Sequence, residues 1–315
     1  MDRIGPRFAI LTLGAAAFAA AATPPADLPI RAAQWLDPPQ RIAALSSQPD
    51  ECAVVPREAG QRKLFEIGRA AFRAPLLLGG QAARSGLSCA SCHSNGRRNQ
   101  AFHFPGLSGD PGTADVTSSL MSSHRGDGVF DPRPIPDLAV PAKVSRARGD
   151  LALESFIHGL IVEEFDGAEP PLLILQGLGT YVRAIGRPGC DLGIRTAIGL
   201  DDMLRDVSRV VSVSRYAWAS GKADSARLLI SGARSGLGLI NERYSEPYLR
   251  RDQQAIRIAD QGLLAIEQQI DSGRGDVLAQ IAVWQASAPR WYAILKRNQG
   301  RSLFEPTLLQ QHLHH

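Results

Sequence analysis

The chain has 315 residues, with 35 Lys and Arg against 31 Asp and Glu, and 44% of it is apolar. That is ample material for a core in one large or two ordinary domains, and it excludes wholesale disorder and a collagen-like repeat. The formal net charge is only +4, and basic residues are spread along the chain rather than gathered in a stripe, so no nucleic acid is expected as a partner.

Arg3 and Arg7 precede an apolar run from Phe8 to Ala22 whose Ala-rich end offers an Ala-x-Ala cleavage site. This is the layout of a secretory signal peptide over residues 1–22, and about 15 apolar residues fall short of the roughly 20 that a membrane span needs. A retained anchor is the alternative. The expectation is a periplasmic or secreted protein with no membrane span after cleavage. Residues 23–56, with Pro24, Pro25, Pro29, Pro38, Pro39 and Pro49, read as a Pro/Ala-rich leader, extended with one short helical piece at most.

Leu64, Phe65, Ile67 and Phe72 are spaced for an amphipathic helix from Arg57, ending before Pro75. A short helix is expected near Ser88. Residues 94–150 carry few periodic apolar positions and many Gly, Pro, Asp and Ser, so they read as a long functional loop. Helical patterning returns over Gly149–His158 and again after Pro170-Pro171, where it stops at Gly186 and Pro188. After Cys190 four helices are expected, over Asp201–Ala219, Lys222–Asn241, Glu246–Ile270 and Asp276–Ala286. In the third, Leu249, Ile256, Leu263 and Ile270 recur every seven residues, with Ala259 and Ile266 between them, which is a bundle seam. The fold class expected is all-α: a domain with long loops over 57–192, a separate helical bundle over 195–310, and a tail at 311–315.

The cysteines are Cys52, Cys89, Cys92 and Cys190. Cys89-Ala90-Ser91-Cys92-His93 has the C-x-x-C-H spacing of c-type haem attachment. Two thiols one helical turn apart can add across the two vinyl groups of a haem, and the adjacent His93 then offers its imidazole to the iron as the proximal ligand. A thioredoxin-like dithiol expects a βαβ context, and a zinc site needs further Cys or His at suitable spacing; the pattern supplies neither. One covalent haem c is the expected cofactor. Cys52 and Cys190 are either a disulfide closing a loop of roughly 140 residues, worth about 4–5 kcal/mol, or two free buried thiols.

Around this motif, Leu64-Phe65, Gly68-Arg69-x-x-Phe72-Arg73-x-Pro75-x-Leu77 and Gly86-Leu87-Ser88-Cys89-Ala90-Ser91-Cys92-His93 resemble the bacterial di-haem cytochrome c peroxidase and methylamine-utilisation haem-protein superfamily. Glu163-Glu164-Phe165-Asp166-Gly167 and the run Leu178–Ile185 are similar to the closing helix of its cytochrome domains. The resemblance covers roughly residues 60 to 190 and implies a cytochrome c fold and haem. Its members carry two C-x-x-C-H haems that exchange electrons; this chain has one, and Cys190, followed by Asp191-Leu192-Gly193, cannot supply a second.

The sixth iron ligand decides the chemistry, because Met raises the potential, His lowers it, and an open iron binds peroxide or gas. Met121 and His103 lead, with His124 and an open or water-bound iron as alternatives. Met203 and His158 read as core residues, and His312, His314 and His315 as a solvated tail. Arg125 and Asp127 are either distal-pocket groups or a surface ion pair. The function expected is that of an exported mono-haem electron carrier serving redox partner proteins. The alternatives are a peroxidase-like haem enzyme or partner subunit with an open distal site, and a haem-based sensor or scaffold whose bundle holds a protein partner.

Overall fold

The computed structural model describes residues 30–140, 145–186, 190–191 and 193–313; residues 1–22, read above as a signal peptide, residues 23–29, His314 and His315 lie outside them. Helix α2 (Ala59–Ala71) begins where the Glu58 carboxylate accepts from the Gly60 and Gln61 amides at 2.7 and 2.6 Å, filling two of the donors a helix start leaves open. Its buried face carries Phe65, Ile67, Gly68 and Ala71. It crosses helix α6 (Leu172–Ala184) at Gly68 and Gly177, so closely that a Cβ on Gly68 would stand 1.9 Å from the Gly177 carbonyl oxygen. Tyr181 of α6 lies against Phe65 and Phe72, with ring centroids 5.5 and 5.1 Å apart.

Three short helices complete the first half: α1 (Arg41–Ser46), α3 (Gly80–Arg84) and α4 (Cys89–Cys92). Helix α5 (Ala152–Gly159) follows the long loop and runs into a π turn at Leu160–Glu164. The bundle comprises α7 (Leu200–Ala219), α8 (Ala223–Arg243), α9 (Arg250–Ser272) and α10 (Val277–Arg297). All six seam positions of α9 and its lead-in, Leu249, Ile256, Ala259, Leu263, Ile266 and Ile270, are buried. One cluster of buried side chains runs from Phe65 and Tyr181 through Val207 and Leu229 to Trp284. The bundle therefore shares its core with the preceding helices, and α2 packs directly on α7 and α8. Helix α10 continues past the expected stop at Ala286, through Pro289, and buries Trp291 and Leu295.

Residues 30–56 are not an extended leader. They form 3-10 turns at Arg31–Trp35 and Pro38–Gln40, then α1, then strand β1 (Ser47–Pro49). Pro38 and Pro39 open a turn, where a missing N–H costs nothing, instead of preventing one. Ile30, Ala33, Leu36 and Leu45 are buried with Ala101, Leu303 and Leu309 in a second cluster. Arg243, 5% exposed, donates to the Leu45 and Leu303 carbonyls at 2.5 and 2.9 Å. The expected tail is likewise helical as far as Leu313, in α11 (Pro306–Leu313), and His312 pairs with Glu246.

Strand pairing among the described residues is minor. β2 (His93–Ser94) pairs with β3 (Arg97–Arg98), β4 (Thr113–Ala114) with β5 (Arg133–Pro134), and β1 with β6 (Arg195–Ala197), all antiparallel. The β2–β3 and β4–β5 pairs pin the long loop, which buries Leu107, Met121 and Ile135.

Candidate functional site

The C-x-x-C-H segment is held at both ends by local chemistry. Ser88 caps α4 reciprocally with Ser91: each side chain accepts from the other's backbone N–H, the Ser91 hydroxyl lying 3.1 Å from the Ser88 nitrogen. At the other end the Asn99 amide N–H and side chain donate to the Cys92 and Ser91 carbonyls at 2.9 and 2.8 Å. The Ala90 N–H donates to the Phe72 carbonyl at 3.0 Å, which ties α4 to the end of α2. Cys89 and Cys92 are therefore presented one turn apart on a fixed scaffold, and both are free thiols. Burial pushes their pKa values up to about 11 and 12, Cys89 adding to the effect at Cys92. A redox dithiol works by the opposite shift, toward thiolate.

His93 caps α4 and opens β2. Asn95 and Gly96, both with positive φ (50° and 74°), make the two-residue turn to β3, the backbone geometry that Asn-Gly favours in hairpins. Arg97 then grips Asp137 through Nε and Nη2 at 2.8 Å, and the Leu138 N–H donates to the Gly96 carbonyl at 3.1 Å. This clamp sets the chain at 136–137 beside the imidazole. Burial lowers the His93 pKa to about 4, against the smaller opposing pull of the Pro136 carbonyl and the Asp137 carboxylate. The ring is thus neutral at physiological pH. Its Nδ1 is buried without a hydrogen-bond partner. The Phe72 ring stands 6.3 Å from the imidazole.

Behind α2 lies a polar network absent from the sequence reading. One oxygen of Glu51 accepts from Arg69 Nε at 2.8 Å, Arg73 Nη2 at 3.0 Å and the Tyr181 hydroxyl at 2.8 Å. Arg73 also donates to Asn95 Oδ1 at 2.7 Å, and Asn95 donates to the Pro49 carbonyl at 2.9 Å. Burial opposes ionisation of Glu51, but Arg73 and Arg69 outweigh it and hold the carboxyl below its usual range. Arg73 and Tyr181 stand in the resembling motifs, whereas Glu51 sits in the segment read as a leader.

Cys52 and Cys190 form a disulfide, with Cα atoms 5.7 Å apart. Of the distal candidates, Met121 is 1% exposed and part of the main core. His103 is half-buried, and its backbone N–H donates to the Trp35 carbonyl at 3.0 Å. The His124 side chain is 62% exposed and 3.9 Å from Asp166. Arg125 pairs with Glu163 and Glu164, while exposed Asp127 accepts from the Val129 N–H. His158 meets Glu169 at 2.8 Å, and Met203 packs partly buried against the core. No protein-family model, curated protein or solved structure matches the chain.

Proposed function

We propose that the chain is an exported mono-haem c-type cytochrome that carries single electrons between redox partner proteins. The observation that carries this reading is the pairing of two free thiols one helical turn apart with a neutral, half-buried imidazole at the next residue. In this reading Cys89 and Cys92 tether the group and His93 holds its iron, because a metal takes neutral imidazole and a ligating ring donates its second nitrogen to a carbonyl. The buried, unpartnered Nδ1 suits that role. Bound there, haem would supply a one-electron Fe(II)/Fe(III) couple. Phe72, Tyr181 and the α2–α6 crossing exclude water behind α4.

Met121 is the sixth-ligand candidate favoured by its burial. The engagement of Arg125 with Glu163 and Glu164 weighs against the peroxidase-like alternative. The Cys52–Cys190 disulfide supports an oxidising, extracytoplasmic compartment, and no described helix is long and apolar enough to cross a membrane.

The test is expression with a haem-maturation system, followed by denaturing haem staining and oxidised and reduced spectra. Covalent haem that is lost in Cys89→Ala/Cys92→Ala, with a low-spin six-coordinate spectrum altered by Met121→Leu, is expected. A matured chain without covalent haem would sink the proposal, and a high-spin spectrum with peroxide consumption would replace it by the peroxidase-like reading.

A further inference from the structure

The Cys52–Cys190 disulfide joins two sulfurs in opposite surroundings. Cys52 is 1% exposed and Cys190 is half-buried, so a thiolate arriving from solvent meets Cys190 first. Arg97, itself 6% exposed, brings Nη1 to 3.7 Å from Cys52 Sγ. Asp50 Oδ2 stands 3.8 Å from Cys190 Sγ. A guanidinium favours a thiolate beside it and a carboxylate opposes one, so the two sulfurs differ as leaving groups.

Arg97 is fixed in this position. Asp137 accepts from its Nε and Nη2 at 2.8 Å, which leaves the Nη1 N–H directed at a disulfide sulfur, a weak acceptor in a buried place. A thiolate would take that N–H in a charge-assisted bond. Cys52 is aligned by its own backbone as well: the Gly186 N–H donates to the Cys52 carbonyl at 3.0 Å, and the Val54 N–H to the Ala184 carbonyl at 2.8 Å. Neither hydrogen bond depends on the sulfur bridge.

We propose that Cys52–Cys190 is a site of thiol–disulfide exchange with an incoming dithiol, attacked at Cys190 and releasing Cys52 as a thiolate on Arg97. In the first step the dithiol's thiolate bonds to Cys190 Sγ as the Cys52–Cys190 bond breaks, and the electron pair of that bond passes to Cys52 Sγ. The second thiol gives its proton to water and attacks the first sulfur of the dithiol, displacing Cys190, which takes up a proton beside Asp50. The dithiol leaves as a disulfide, oxidised by two electrons, and the chain is reduced by two. The proposal does not depend on haem being attached.

The test treats the folded full chain with dithiothreitol for the rate and with glutathione for the point of attack. Each reaction is quenched in acid, alkylated and mapped by peptide mass spectrometry. Reduction without loss of helical circular dichroism is expected, with the glutathione adduct on Cys190 and the alkyl group on Cys52. Arg97→Gln should slow the dithiothreitol reaction about threefold to tenfold, because the leaving thiol loses its cation, and Arg97→Lys should restore most of the rate. An arginine that only braced the fold would give the opposite sign, since loosening the chain exposes the bridge and speeds its reduction. The adduct position is read on the unaltered chain and needs no variant. A glutathione adduct on Cys52, a rate unchanged or raised in Arg97→Gln, or reduction only in denaturant would each overturn the proposal.

Discussion

Replacing Gly68 by alanine tests the closest backbone approach in the core. The new Cβ would stand 1.9 Å from the Gly177 oxygen and 2.8 Å from the Leu178 nitrogen. Carbon and oxygen tolerate roughly 3.3 Å, so α2 and α6 must part by about 1.4 Å. The obstacle is backbone and has no rotamer to escape through. Parting the helices also loosens Tyr181 between Phe65 and Phe72. Overpacking ordinarily costs about 1–3 kcal/mol, and this site belongs at or above the top of that range. Gly177→Ala, whose Cβ first meets the Gly68 nitrogen at 2.8 Å, should cost about 1–2 kcal/mol. Gly238→Ala, with nothing within 4 Å of its Cβ, should stabilise α8 by about 0.5–1 kcal/mol. Urea unfolding with an unchanged m-value measures all three. A Gly68→Ala protein within about 0.5 kcal/mol of wild type, or a reversed order in the series, would refute the close crossing. Because the Phe72 carbonyl holds Ala90 at the end of α2, the proposed haem attachment would give a lower covalent yield in Gly68→Ala as well.

Cys52→Ala/Cys190→Ala opens a bridge across 138 residues and should lower unfolding stability by about 5 kcal/mol in the chain-entropy picture, checked by denaturant titration. Glu51 titrates below its usual value in the folded chain, so its contribution is present above the ordinary carboxylate pKa and fades as pH falls through the lowered one; Glu51→Gln should destabilise the protein near neutrality and flatten that acid limb of the stability profile. Met121→Ala should cost about 2–5 kcal/mol by thermal or urea unfolding and Met121→Leu under about 1.5, since the side chain is fully buried.

What could be read from the sequence was local. The helix periods held to within a few residues for α2, α6, α7, α8 and α9, because each buries one stripe, and the α9 seam was explicit in its heptads. The Asn95-Gly96 pair after Cys89–His93 is an equally readable turn signal. The features that escaped depend on distant partners. Glu51 finds Arg69, Arg73 and Tyr181 at separations of 18, 22 and 130 residues, and nothing near it announces them. In residues 30–56 the prolines suggested an extended chain, while the four apolar residues that fold it meet Leu303 and Leu309. The leftover cysteines were legible as a pair, but their proximity was not.

The Arg243 clasp has a bearing on how the molecule is made. Its two carbonyl partners belong to segments 198 residues before and 60 residues after it, so the joint cannot close until the stretch through Leu303 has been synthesised. A chain delivered in sequence order must keep Ile30, Leu36 and Leu45 waiting in an unburied state until then. A protease cut that frees α11 would uncover Ile30, Leu36 and Leu45 on the side of Leu309, while the Cys52–Cys190 disulfide and the β1–β6 pair would keep Pro49 and Glu51 on Asn95 and Arg73 beside the Cys89–His93 turn.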